Sequence, residues 1–144
     1  MEMDNVKPVE ILIVERNPEN LAQLVEVFKN SKFPNNIRFA GGADSALKMI
    51  FQRDEYRDLE RPDIIISDIT TYRKEVRWGI LEEIAKVESI KCIPTVILSS
   101  LDEMKNVEIQ NCPNLLLPKP NAFEEYQNVV ESIEKFWFSV HKST

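Results

Sequence analysis

A five-stranded, doubly wound parallel sheet with helices on both faces, three layers in all, is the fold class this chain predicts. Three observations predict it. Continuous apolar runs recur at Glu10-Ile11-Leu12-Ile13-Val14, Ile64-Ile65-Ile66, Ile93-Pro94-Thr95-Val96-Ile97-Leu98 and Leu115-Leu116-Leu117, the pattern of strands buried on both faces. Segments of helical period separate them. The 144 residues, 43% hydrophobic and 29% charged, suit a single domain over 1–144 with a core spanning about 9–140 and no output domain.

Taken in order, a polar lead-in precedes the first strand, residues 10–14. Asn17 then caps a helix and Pro18 suits its first position. The buried stripe of that helix is Leu21, Leu24, Val25 and Phe28, spaced i, i+3, i+4, i+7. Pro34-Asn35-Asn36 turns the chain into a short strand, residues 37–40, which Gly41-Gly42 breaks. A second helix is expected over 44–55, burying Ala46, Leu47, Ile50 and Phe51. Pro62 introduces the third strand, which delivers Asp68 at its carboxyl end. A helix over 79–87 leads to the fourth strand, ending in Ser99-Ser100, and a thin helix over 102–110 to the fifth, residues 114–117. The last helix, about 122–140, is amphipathic through Tyr126, Val129, Val130, Ile133, Phe136 and Trp137.

Parallel strands place their carboxyl ends on one edge, where α/β sheets carry their sites. Across that edge lie Glu15 with Arg16, Asp68, Ser99 with Ser100, and Lys119. Taken alone, Asp68 is open to three readings (ligand, base or nucleophile), and a fourth in which it only starts a loop. Together the residues suit phosphoryl chemistry. Two carboxylates can hold a hard cation, Asp68 can attack a phosphoryl group, and the hydroxyl and ammonium can bind its oxygens.

With those residues in view, the chain resembles a response-regulator receiver domain, CheY-like and flavodoxin-like in fold, over essentially its whole length. The landmarks are Ile11-Leu12-Ile13-Val14-Glu15, Asn17-Pro18, Pro62-Asp63 through Asp68, Ile93-Pro94 through Ser100, and Lys119-Pro120. The Glu-x-Asn-Pro turn and Ser132-Ile133-Glu134-Lys135-Phe136-Trp137 are similar to stand-alone regulators that partner bacterial phytochrome-type histidine kinases. The resemblance implies that Asp68 accepts a phosphoryl group from a histidine kinase or phosphotransfer protein. It makes Ser99, with Ser100, the switch hydroxyl and Lys119 the phosphate-pairing cation. Glu15, Asp68 and the backbone carbonyl of Thr70 would hold Mg²⁺, and a cis peptide bond would precede Pro120. Signalling then proceeds by altered protein binding, with no enzyme activity on a metabolite.

Three departures from the family pattern accompany the match. Arg16 stands where a second acid is usual, so the pocket has one acid fewer and one cation more. A guanidinium about 5 Å from a divalent ion opposes it by several kcal/mol at an effective dielectric of ~20. Three placements are open to Arg16: swung into solvent with Mg²⁺ binding weakened, gripping the phosphoryl group or Asp68, or idle on the surface. Tyr72 replaces a proline four residues after the acceptor, and Leu116 replaces the aromatic that usually moves in the switch. These departures define the alternative: a degenerate receiver acting as a phosphorylation-independent binding module.

Other classes fit poorly. The first strand is followed by Glu15-Arg16-Asn17-Pro18, not the glycine-rich turn of a nucleotide site. A haloacid-dehalogenase phosphatase needs a second Asp where this chain has Thr70. A net charge of −6 with mixed signs disfavours nucleic acid, and no apolar run is long enough for a membrane span. His141 is the only histidine, which disfavours hydrolytic metal sites. Cys92 and Cys112 lack ligand spacing, consistent with a reduced, cytoplasmic protein. Phe136, Trp137 and Phe138 cannot all face inward on a 3.6 period, so the last helix with the fifth strand is the expected homodimer face. Trp78 is a further candidate anchor.

Overall fold

Five parallel strands form one sheet in the order β2-β1-β3-β4-β5. The computed structural model describes residues 7–69, 93–100 and 113–142. Expectations placed on the helices at 79–87 and 102–110, and on Thr70, Tyr72, Trp78, Cys92 and Cys112, lie outside the described residues. So does the side chain of His141.

The strands are β1 (Val9–Val14), β2 (Asn35–Ala40), β3 (Ile64–Asp68), β4 (Thr95–Ser99) and β5 (Asn114–Pro118). Strand alternation splits the core into two layers. Ile11, Ile13, Ile64, Ile66, Val96 and Leu98 face one side, where α1 (Pro18–Lys29) brings Leu24 and Phe28. The last helix, α3 (Phe123–Lys142), brings Tyr126, Val129, Val130 and Ile133 to the same side. Leu12, Val14, Ile65 and Ile97 face the other, where α2 (Ala43–Ile50) contributes Ala46 and Ile50. Two-sided burial explains why these strands read as continuous apolar runs. Of the expected helix stripes, Leu24, Phe28, Ala46 and Ile50 are buried, while Leu21, Val25, Leu47 and Phe51 are partly buried.

Asn17 caps α1 as expected: its Oδ1 accepts the N–H groups of Glu19 at 2.8 Å and Asn20 at 3.2 Å. The second helix is shorter than the predicted 44–55. It stops at Ile50 because Gln52 takes the left-handed conformation, with φ 55°. The Arg53 N–H then bonds Lys48 O at 2.9 Å and the Gln52 N–H bonds Met49 O at 3.3 Å, a Schellman closure of the helix end. Glutamine rather than glycine occupies the left-handed position, so the usual sequence signal for that stop is missing. Asp54–Tyr56 forms a separate 3₁₀ turn.

One buried acid has nothing to do with the strand-end edge. Glu10 is 5% exposed at the start of β1, where Asn36 Nδ2 donates to Oε2 at 2.9 Å and Arg38 Nη1 to Oε1 at 3.3 Å. The first two strands are thereby tied through their side chains as well as their ladder. Phe138 is the exposed member of the aromatic triplet, stacking edge-on against Phe33 with ring centroids 5.8 Å apart. No helix among the described residues is long and apolar enough to cross a membrane.

Candidate functional site: the acid pocket at the strand ends

The sheet order reverses between β1 and β3, and the crevice of a doubly wound sheet lies at the carboxyl ends on either side of such a reversal. In the register, Val14 stands beside Ser67, so Glu15 and Asp68 follow on the next rung. Both carboxylates are buried, Glu15 at 4% and Asp68 at 1% exposure. Glu15 is held by its main-chain N–H to Ala40 O at 3.0 Å, and its Oε2 accepts the Asn17 N–H at 3.0 Å. The cap of α1 therefore also fastens the acid before it.

The fourth and fifth strands complete the pocket. Ser99 pairs in register with Pro118, and the Lys119 N–H donates to Ser99 O at 2.8 Å. This brings the lysine side chain back over β3, with Nζ 2.6 Å from Asp68 Oδ2. The Ser99 hydroxyl is buried and donates to the Ser100 carbonyl at 3.0 Å, while Ser100 itself is exposed. Glu15, Asp68, Ser99 and Lys119, predicted from separate strand ends, thus come together. Thr70 lies outside the described residues. Arg16 is exposed, one residue beyond a buried acid. Leu116 is partly buried against the α2-side layer. The expected cis bond before Pro120 is absent: the Lys119–Pro120 peptide is trans, the isomer an X-Pro bond prefers by about 0.5–1 kcal/mol.

Electrostatics follow from this crowding. Burial pushes the Glu15 carboxyl up to about 7, and the nearby Asp68 carboxylate adds to the rise. The Asn17 N–H and the Lys119 charge oppose it without cancelling it. Two carboxylates buried side by side, with the ionised form of Glu15 disfavoured by burial and by Asp68, make an oxygen donor pair that a hard divalent cation would suit. Among the described residues no three His, Cys, Asp or Glu side chains gather into a metal-ligand set. The donors are instead a carboxylate pair, which suits an oxygen-loving ion that keeps some of its waters.

Tyr126 was read from the sequence as a core residue of the last helix. It is buried at 2% exposure in the layer into which β1 and β3 turn Ile13 and Ile66, the residues two positions before Glu15 and Asp68. Burial and the charges of Glu15 and Asp68 raise its phenol above the ordinary value.

No family model matches the chain. It is 28% identical over 134 residues to the response regulator Rcp1 of Synechocystis sp., covering 90% of this chain and 89% of Rcp1. The phosphorylated cyanobacterial phytochrome response regulator RcpA superposes with a TM-score of 0.77 at 26% identity, over 93% of this chain and 96% of RcpA. The Mn²⁺-bound form of Rcp1 gives a TM-score of 0.73 at 27% identity, over 90% and 94% of the two chains.

Proposed function

We propose that the chain, similar to the response regulators Rcp1 and RcpA, is a CheY-like receiver domain that accepts a phosphoryl group on Asp68 from a histidine kinase and signals by altered protein binding. The observation that carries this reading is the placement of Asp68: buried, on the rung beside Glu15, and 2.6 Å from the Lys119 ammonium. An oxygen of Asp68 attacks the phosphorus of a phosphohistidine. The new O–P bond forms as the P–N bond breaks, and the electron pair of that bond leaves on the imidazole, which takes up a proton.

Lys119 then pairs with a phosphoryl oxygen in place of Asp68, and the Ser99 hydroxyl turns from the Ser100 carbonyl to donate to another. Glu15 and Asp68 would hold a divalent cation, Mg²⁺ in a cell, and the receiver resemblance would add the Thr70 carbonyl as a further donor. The bound cation supplies neutralising charge for the phosphoryl oxygens. The same reading places the protein in the cytoplasm, opposite a kinase of the phytochrome type, with α3 and β5 as the self-association face. Leu116 cannot carry an aromatic ring from pocket to surface, so the readout of phosphorylation differs from the usual aromatic switch. The phosphorylation-independent alternative gains no support from a pocket that retains the acceptor, the lysine and the hydroxyl.

The test is intact mass after incubation with acetyl phosphate, with and without Mg²⁺. The expected result is one added phosphoryl group that requires Mg²⁺ and is lost in Asp68→Asn. Failure of the wild type to gain mass under any condition overturns the proposal.

A further inference from the structure

Glu15, Arg16 and Asn17 join β1 to α1, and Glu15 is the acid among them. Whatever this loop gives a cation therefore depends on how the Glu15 carboxylate is held. Its Oε2 accepts the main-chain N–H of Asn17 at 3.0 Å. The same residue caps α1. Pro18, at the first helical position, has no N–H to offer, and Asn17 Oδ1 takes the next two, from Glu19 at 2.8 Å and Asn20 at 3.2 Å. The carbonyl of Asn17 accepts the Leu21 N–H at 3.0 Å, the opening bond of the helix. These bonds hold Asn17 extended, with φ −88° and ψ 117°, and its own N–H points back at the acid. Asn17 is exposed, so its side chain adds nothing to the core.

We propose that Asn17 is a positioning residue of the phosphoryl-acceptor pocket: its cap fixes the main-chain N–H that engages Oε2 of Glu15 and turns Oε1 to the divalent cation. The inference rests on the reading of the pocket given above and deepens it. A carboxylate already held by a hydrogen bond surrenders less rotamer freedom when a cation binds it. Groups that orient a metal-binding side chain commonly change metal affinity 10- to 100-fold when removed.

The experiment compares wild type with three variants. Asn17→Ala removes the cap, and Asn17→Ser restores a capping oxygen. Asn30→Ala loosens the opposite end of α1, where Asn30 Nδ2 donates to Glu26 O at 3.1 Å and to Glu26 Oε2 at 3.0 Å. Mn²⁺ binding is measured by calorimetry. Amide hydrogen exchange at residue 17, followed in EDTA, reports the bond to Glu15 with no metal bound. In Asn17→Ala, Mn²⁺ affinity should fall about tenfold and exchange at residue 17 should quicken about tenfold. Both should return close to wild type in Asn17→Ser and stay unchanged in Asn30→Ala. Wild-type Mn²⁺ affinity in Asn17→Ala overturns the role of Asn17 while leaving the pocket intact. An equal loss in Asn30→Ala overturns it too, since a looser helix would then account for the effect. A wild type that binds no Mn²⁺ and gains no phosphoryl group from acetyl phosphate overturns the reading of the pocket, and the inference with it.

Discussion

The Lys119 ammonium lies 2.6 Å from Oδ2 of Asp68, and Asp68 is almost wholly buried while the lysine side chain is 29% exposed. The pair is asymmetric. The acid depends on the lysine for charge compensation, whereas the lysine has water. Removing the cation strands a buried charge, so Lys119→Ala is expected to lower stability by about 2 kcal/mol at neutral pH, less than a fully buried pair would cost. Urea unfolding at pH 7.5 in EDTA measures this, and Asp68→Asn introduced beside Lys119→Ala should return most of the loss. Phosphorylation by acetyl phosphate should fall about 100-fold in Lys119→Ala.

Glu15 gives stability a dependence on pH of predictable sign. Its carboxyl titrates at about 7 in the fold against an ordinary 4.5, so between those values the folded state binds the proton more tightly. The resulting stabilisation is complete below about 4.5 and lost as pH rises through 7. Unfolding free energy measured from pH 4.5 to 8 in EDTA should therefore decline for wild type relative to Glu15→Gln. A difference between the two that stays flat across this window contradicts the assignment.

Arg16 adds positive charge at the mouth of a site that needs a cation. Replacing it by aspartate, the charge that the receiver pattern carries there, should tighten Mg²⁺ binding by about tenfold or more. Calorimetric titration of the two proteins decides this. Unchanged affinity means that the guanidinium stays far enough into solvent to be screened.

Away from the pocket, Glu10 is a buried acid held by Arg38 and Asn36. Arg38→Met should cost about 2 kcal/mol because it leaves Glu10 with a lost charge partner. Adding Glu10→Gln should recover part of that cost. A double-mutant cycle in urea measures the coupling, and strictly additive effects would show that the pair contributes nothing beyond its separate side chains.

Much of this was legible from local pattern. The apolar runs at 11–14, 64–66, 95–98 and 115–117 are strands because burial on both faces removes alternation, and Asn17-Pro18 starts a helix through its own side chain and ring. Asp68, Ser99 and Lys119 were identifiable because a polar residue ending such a run has to lie at the sheet edge. The premature stop of α2 was not legible, since Gln52 takes up a conformation for which its residue type gives no warning.

By itself the sequence determined which residues form strands and helices, and which chemical groups the strand ends carry. These are short-range matters, decided by hydrophobic periodicity and by caps. Only the tertiary structure decided that β1 lies between β2 and β3, that Glu15 stands on the rung beside Asp68, and that Lys119 folds back onto that acid. It also set Tyr126, spaced like any core residue of its helix, in the same buried layer as Ile13 and Ile66. The order of strands and the meeting of distant side chains depend on packing whole layers together, a long-range free energy that no local stretch of sequence contains.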